Sequence, residues 1–482
     1  MTWVKTLTKR PRTKIVCTLG PATDTPETIE TLIMAGMCLA RLNFSHGTVE
    51  QHERSARMVR EASAKLGLPV GLMVDVPGPK YRTGPTDPGV LEVQPEDYLI
   101  LTSRDVVGSR QIVSIHPAGI HRDASVDGQI LVDDGRIRLK VLKVEGEDLL
   151  CEAITGGRLT EGRGVVTPGK APSLPYPGEK AMQALEFAAR EQADFVALST
   201  VTSFGEISEA RQILRDRGAR PFIISKIERS EAVSQFGNLL SASDGIMVAR
   251  GDLGVEVPLA RVPVIQKRLI REANIAGKPV ITATQMLESM VNAPVPTRAE
   301  VTDVANAVFD GTDAIMLSGE TSIGKYPIEA VKVMREVALE AEAALPYESI
   351  LVEKRRHLEK QTDDAIAYDA CQTAHQLKAG AIIAFTESGS TAGRVSKYRP
   401  EADILALTPS EVTQRRLMLS WGIIPIVTGS PSSVDDIFIQ GEETAIRAGV
   451  APGGIAVLVA GLPIGVPGGT NLLRVLTIGQ GR

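Results

Sequence analysis

The stretch Ile223-Ile-Ser-Lys-Ile-Glu228, a helix-like run, and then Asp244-Gly-Ile-Met-Val-Ala-Arg-Gly-Asp-Leu-Gly254 decide how the rest of the chain is read. Residues 221–225 are apolar and give way to Lys226 and Glu228; residues 246–249 are apolar and stop at Arg250, Gly251 and Asp252. Short apolar runs of this kind suit strands buried on both faces. Parallel pairing brings their charged ends together at one sheet edge. There Glu228 and Asp252 make a carboxylate pair, with Lys226 beside them. Two carboxylates plus substrate oxygens suit Mg²⁺, which usually keeps few protein ligands. A structural salt-bridge cluster capping strand ends is the plainer alternative.

The same alternation runs from residue 13 to residue 345. Strand-like runs lie at 14–18, 38–42, 71–76, 195–199, 222–226, 246–249, 280–283 and 314–317. Helix-like segments lie at 26–35, 49–66, 179–192, 204–217, 230–239, 259–276, 297–309 and 327–344. Eight strand–helix units are the count of a (β/α)₈ barrel, whose chemistry sits just after its strands. The pattern breaks at Pro77-Gly78-Pro79, and short strands are expected at 99–102, 111–115, 129–132 and 137–144. The barrel is therefore expected over 1–81 and 169–348, with an all-β domain inserted at 82–168. Its two connections would let it swing as a lid. A doubly wound α/β domain is expected over 349–482. Its strands are read at 381–385, 404–407, 423–427 and 455–459, and its helices at 365–377, 391–398, 411–419 and 434–447.

A chain of 482 residues has room for about three domains, and 43% apolar residues supply a large core. With 53 basic and 58 acidic residues the net charge is −5, which argues against a nucleic-acid surface. The basic N-terminus, 1–14, lacks an apolar signal core. Residues 455–466 are interrupted by Gly461, Pro463 and Gly465 and are too short to span a bilayer, so no membrane is expected. Cys17, Cys38, Cys151 and Cys371 show neither metal nor redox spacing, which points to a reduced, cytoplasmic protein.

From Thr13 to the C-terminus the chain resembles the pyruvate kinase family. The resemblance rests on Thr13-Lys-Ile-Val-Cys-Thr-Leu-Gly-Pro-Ala22, Ala40-Arg-Leu-Asn-Phe-Ser-His-Gly47, Ile224-Ser-Lys-Ile-Glu228 and Asp244–Gly254. Ala283-Thr-Gln-Met-Leu-Glu-Ser-Met290, Pro296-Thr-Arg-Ala-Glu300 and Met316-Leu-Ser-Gly-Glu-Thr321 follow in the family's order. It implies a barrel with a β lid and a C-terminal regulatory domain. It also implies transfer of a phosphoryl group from phosphoenolpyruvate to ADP, giving pyruvate and ATP in glycolysis. Such transfers rest on positioning and charge neutralisation.

By this resemblance Glu228 and Asp252 hold Mg²⁺, Lys226 neutralises the phosphoryl oxygens, and N–H groups around Gly251 and Asp252 hold the substrate carboxylate. Thr284 lies where the enolate is protonated and is expected to order a water relay; a strand-end threonine bonded to backbone is the alternative. Arg41 has the planar fork to clamp a phosphoryl group, or simply makes a salt bridge. Arg82, Arg163, Asn43 and His46 are expected near the nucleotide, although His46 equally suits a satisfied, partly buried histidine. Glu320 is expected to orient its neighbours. Gly319-Glu-Thr-Ser-Ile-Gly-Lys325 nearly fits a phosphate-binding loop, but Tyr326 stands where Ser or Thr is needed, so it reads as a barrel loop.

The family's K⁺ ligands correspond to Asn43, Ser45, Asp75 and the carbonyl of Val76. K⁺-dependent members carry Glu where this chain has Lys80. An ammonium there supplies a monovalent positive charge and repels K⁺, so a K⁺-independent enzyme is expected. Val76, Pro77 and Val166 also depart from the family's usual residues. In the C-terminal domain, Thr386-Glu-Ser388-Gly389-Ser390-Thr391 links a strand to a helix, the setting of an anion site or of an ordinary N-cap. The family binds phosphorylated effectors there, with Gly468-Gly-Thr-Asn471 as a second wall, and assembles as a homotetramer. Two other readings fit the residues less well. An aldolase using the acidic pair has no need of Arg82 or a lid. A catalytically dead, effector-binding sensor has no need of the full set Arg41, Lys226, Glu228, Asp252 and Thr284.

Overall fold

The computed structural model describes residues 10–464 and 469–479. Eight short aliphatic runs form the strands of a closed parallel barrel: β1 Lys14–Thr18, β2 Met37–Asn43, β3 Gly71–Val76, β4 Phe195–Leu198, β5 Phe222–Ile227, β6 Gly245–Ala249, β7 Val280–Ala283 and β8 Ala314–Leu317. They pair in sequence order, and β8 closes on β1. Every residue of β1, β3, β4, β6, β7 and β8 is buried, which is why these segments are apolar throughout rather than alternating. Val16, Leu39, Met73, Ala197, Ile224, Met247 and Ile281 meet in one packed cluster, as in a filled barrel rather than a pore.

The helices around it start where their caps dictate. Thr25, Thr48, Ser203 and Thr297 each accept the backbone N–H three residues on, opening Pro26–Ala35, Val49–Leu66, Phe204–Asp216 and Arg298–Phe309. The helix expected over 230–239 is two short ones, Ser230–Ser234 and Phe236–Ala242, which meet at Gln235. Residues 250–256, read only as the charged end of a strand, form a short helix, Arg250–Glu256. Residues 319–326 likewise open with a four-residue helix, Gly319–Ser322.

After β3 the chain leaves the barrel and forms a second, seven-stranded closed barrel, from Tyr81–Thr83 to Gly164–Val166. It has its own core, including Leu99, Leu101, Val113, Ile115, Ile130 and Leu149. The strand Asp148–Thr155 was not legible in the sequence: Leu150 and Ile154 face solvent and blur the polar alternation.

In the C-terminal domain, Ile423–Val427, Asp403–Thr408, Ala381–Phe385 and Ile455–Gly461 lie side by side in parallel, in that order. An antiparallel edge strand, Thr470–Thr477, completes the sheet. The sequence reading missed this strand, whose residues are mostly exposed or half-buried. Strand order reverses between Ala381–Phe385 and Ile455–Gly461, which creates a crevice at their carboxyl ends.

At the opposite, amino-terminal edge of the barrel, three aspartates repeat one device. Asp194, Asp244 and Asp313 precede β4, β6 and β8, and accept the N–H groups of Leu72, Ile223 and Val280 on neighbouring strands. Two of them also dock the C-terminal domain: Asp194 receives Arg415 at 2.8 Å, and Asp313 receives Arg399 at 2.8 Å. All four cysteines are buried and unpaired, and burial pushes the Cys151 thiol up to about 12. Among the described residues no helix is long and apolar enough to cross a membrane.

Candidate active site

Parallel pairing brings the charged strand ends together. Lys226, at the end of β5, has its ammonium 2.7 Å from Glu228 Oε1 and 3.3 Å from Asp75 Oδ1, and it donates to Ser199 Oγ at 2.8 Å. Ser199 follows β4 and donates to Asp75 at 3.1 Å. Arg41, near the end of β2, donates from Nε to Asp75 Oδ2 at 2.7 Å and from Nη1 to Thr18 at 2.8 Å. Asp75 is thus the hub of the cluster and is 1% exposed. Burial works against its charge, but Arg41 and Lys226 hold its carboxyl below the usual range. Burial likewise opposes charge on Lys226, and Asp75 and Glu228 outweigh it, keeping the ammonium firmly protonated.

Glu228 is different. Burial pushes its carboxyl up despite Lys226 beside it. Oε2 accepts the Thr200 N–H at 2.8 Å, whereas the buried Oε1 has no aligned hydrogen-bond donor. A buried carboxylate oxygen with no such donor beside a second carboxylate suits a hard cation. Asp252, in the first turn of Arg250–Glu256, is that second carboxylate; against burial, Lys80 and Lys226 keep it ionised. Lys80 Nζ lies 3.1 Å from Asp252 Oδ1. Among the described residues no group of three or more His, Cys, Asp or Glu gathers as a metal site. A cation here would therefore draw its other ligands from substrate and water.

Thr284 follows β7 in a left-handed backbone conformation, φ +67°, and Gln285 repeats it at +54°. For a β-branched residue this is strained. The Thr284 hydroxyl donates to the Ala283 carbonyl at 2.7 Å and accepts the Gly251 N–H at 2.8 Å. Gly251 N–H thus points at Thr284 here, and a substrate carboxylate reaches it only by sharing or displacing that bond. Glu320 accepts the N–H groups of Leu287 and Ser318, fixing the loops after β7 and β8.

The lid covers this edge. Lys80, Val166, Thr200, Glu228 and Asp252 line a cleft between lid and barrel. Arg82 lies in one of two paired strands at the lid's base, and Arg163 immediately precedes the other, Gly164–Val166. Arg82 donates to the Gly162 carbonyl, and Arg163 pairs with Asp133 at 3.2 Å. His46 is exposed; partial desolvation and then Arg82 and Arg41 lower its pKa. At the K⁺ positions, Asn43 accepts the Ser45 N–H at 3.2 Å and the Val76 carbonyl accepts the Ser199 N–H at 3.1 Å. Sequence reasoning passed over Arg229 and Glu256, which pair at 3.2 Å and hold the lid's exit: Arg229 donates to the Lys170 carbonyl, and Glu256 accepts the Gly169 N–H. It also passed over Ser199 and Arg250.

In the C-terminal crevice, Thr386, Ser388, Ser390, Thr391 and Gly469 line a cleft. Gly389 makes the turn at φ +93° and caps the helix Ser390–Lys397. Thr391 and Thr470 hydroxyls meet at 2.8 Å. Asn471 turns its amide to the Leu462 backbone, and Gly468 lies outside the described residues.

Comparison with known proteins agrees with this architecture. Residues 10–331 match the family model described as pyruvate kinase, barrel domain, and residues 364–476 match that of the pyruvate kinase alpha/beta domain. The pyruvate kinases of Staphylococcus aureus strains USA300 and NCTC 8325 / PS 47 are each 42% identical over 472 residues, covering 97% of this chain and 81% of theirs. A crystal structure of a pyruvate kinase from Cryptosporidium parvum superposes with a TM-score of 0.92 at 36% identity, covering 98% of this chain and 97% of that one. The barrel, the C-terminal sheet and these similarities together place the chain in the pyruvate kinase family of phosphotransferases.

Proposed function

We propose that the cleft under the lid transfers the phosphoryl group of phosphoenolpyruvate to ADP, with Lys226, Arg41 and Thr284 as its catalytic residues. The bond from phosphorus to the enol oxygen breaks, a bond to the terminal phosphate oxygen of ADP forms, and the enolate carbon then takes a proton from water. The observation that carries this reading is the Lys226 ammonium, buried and fixed by Asp75, Ser199 and Glu228 at the mouth of the barrel. It is a preorganised cation for charge that develops on the phosphoryl oxygens. Arg41 is aimed into the same cluster. Glu228 and Asp252 would hold Mg²⁺, which when bound neutralises substrate phosphate and carboxylate oxygens. Gly251, Asp252 and Thr284 would bind the substrate carboxylate, and Thr284 would order the water that protonates the enolate. Asn43, His46, Arg82 and Arg163 would meet the nucleotide.

Lys80 supports potassium independence. Its ammonium already sits at the acidic pair, and the Asp75 carboxylate of the expected K⁺ site is bonded to Arg41, Lys226 and Ser199. Pyruvate formation from phosphoenolpyruvate, ADP and Mg²⁺ tests both readings. Full activity in potassium-free buffer supports both; activity only with KCl sinks the Lys80 reading; no activity in either sinks the kinase reading. Lys80→Glu is expected to make activity depend on added KCl.

The crevice around Ser388, Gly389, Ser390 and Thr391 would take a phosphorylated effector. Thr413 touches its loop through the Glu387 carbonyl, while Arg415 on the same helix pairs with Asp194 at the foot of β4. Its head leads to Ser199 and Thr200, which contact Lys226 and Glu228. A homotetramer follows the family. The four buried, reduced thiols agree with a cytoplasmic setting.

A further inference from the structure

Arg250 is buried at the start of its helix, yet the transfer chemistry above gives it no task. Its guanidinium reaches the loop after β7. Nη2 donates to the Thr284 carbonyl at 2.7 Å and to the Gln285 carbonyl at 3.2 Å, and Nε lies 3.3 Å from the Thr284 carbonyl. Behind it, Nη1 pairs with Asp303 at 2.7 Å, on the helix Arg298–Phe309. The guanidinium also reaches the Ala283 carbonyl at 3.4 Å, but its two shorter carbonyl contacts are to the two left-handed, non-glycine residues of this loop. Such a conformation is strained and persists only where surroundings over-determine it.

We infer that Arg250, backed by Asp303, is a positioning residue that holds the Thr284–Gln285 turn and so aims the Thr284 hydroxyl at the substrate. The planar fork matters, because one group must meet several loop carbonyls and a carboxylate at once; lysine offers no such fork. Backbone N–H of Gly251, the next residue, bonds the Thr284 hydroxyl, so helix start and turn are locked as one unit. This inference rests on the reading that Thr284 serves enolate protonation.

The test follows exchange of pyruvate methyl protons in D₂O by NMR, beside steady-state kinetics, in the full-length enzyme. Arg250→Lys is expected to slow exchange and kcat together by about 10–100-fold, with KM for ADP within about threefold. Asp303→Asn should do the same more weakly. Gln285→Gly, which removes one strained residue, should restore part of the loss in Arg250→Lys. If Arg250→Lys lowers only the melting temperature, with exchange intact, Arg250 is structural and the inference fails. Should Arg250→Lys not fold, Asp303→Asn decides: normal exchange there overturns it. If Thr284→Ala exchanges normally, the Thr284 reading itself fails; if Thr284→Ala loses exchange while Arg250→Lys keeps it, only this inference does.

Discussion

The two edges of the barrel carry the same residue types and treat them oppositely. At the amino-terminal edge, Asp194, Asp244 and Asp313 each accept a backbone N–H and face an arginine. At the carboxyl edge, Asp75, Glu228 and Asp252 crowd around Lys226 and Lys80; Glu228 keeps an oxygen without an aligned donor, and Thr200 and Thr284 adopt left-handed backbone. One edge pairs each carboxylate with an arginine and a backbone N–H; the other crowds three carboxylates around two lysines. In a barrel this asymmetry separates stability from chemistry.

Three substitutions probe the contrast. The largest effect on stability is expected from Asp313→Ala, which leaves Arg399 without its carboxylate and the Val280 N–H without its cap. Breaking such a buried pair costs about 3–5 kcal/mol, seen as a lowered melting temperature with activity per folded molecule nearly unchanged. A drop in kcat as deep as that from the opposite edge would break the comparison. Next comes Lys226→Met. Loss of a preorganised charge typically costs about 10²–10³ in kcat, read by initial rates at saturating substrate. A kcat within tenfold of the parent would remove Lys226 from the reaction. The smallest effect belongs to Arg211→Ala. Its pair with Asp244 is partly exposed, 27% and 29%, so about 0–1 kcal/mol is expected by thermal melting. A loss several times larger would mean that Asp244, too, is a buried anchor.

What the sequence made legible follows from range. Strands such as 71–76, 280–283 and 314–317 were readable to the residue because burial on both faces demands an unbroken apolar run. The strand ends named Lys226, Glu228 and Asp252 because charge after such a run has few structural excuses. The helix Arg250–Glu256 was hidden because Gly251 and Gly254 argue against helix locally, and tertiary contacts overrule them. Arg250 was hidden because Asp303 lies 53 residues away. Lys80 was read beside the K⁺ positions, yet its partner, Asp252, lies 172 residues on. No local pattern reports such pairings.

The burial of every cysteine has a practical corollary. With Cys17, Cys38, Cys151 and Cys371 shielded, the native surface presents no competing thiol to a maleimide. A single cysteine introduced at Val107 on the lid, 64% exposed, or at Leu259 on the barrel, 72% exposed, becomes a unique labelling handle. A fluorophore pair on the two would follow the opening angle between lid and barrel in real time, without any background substitution to the parent chain.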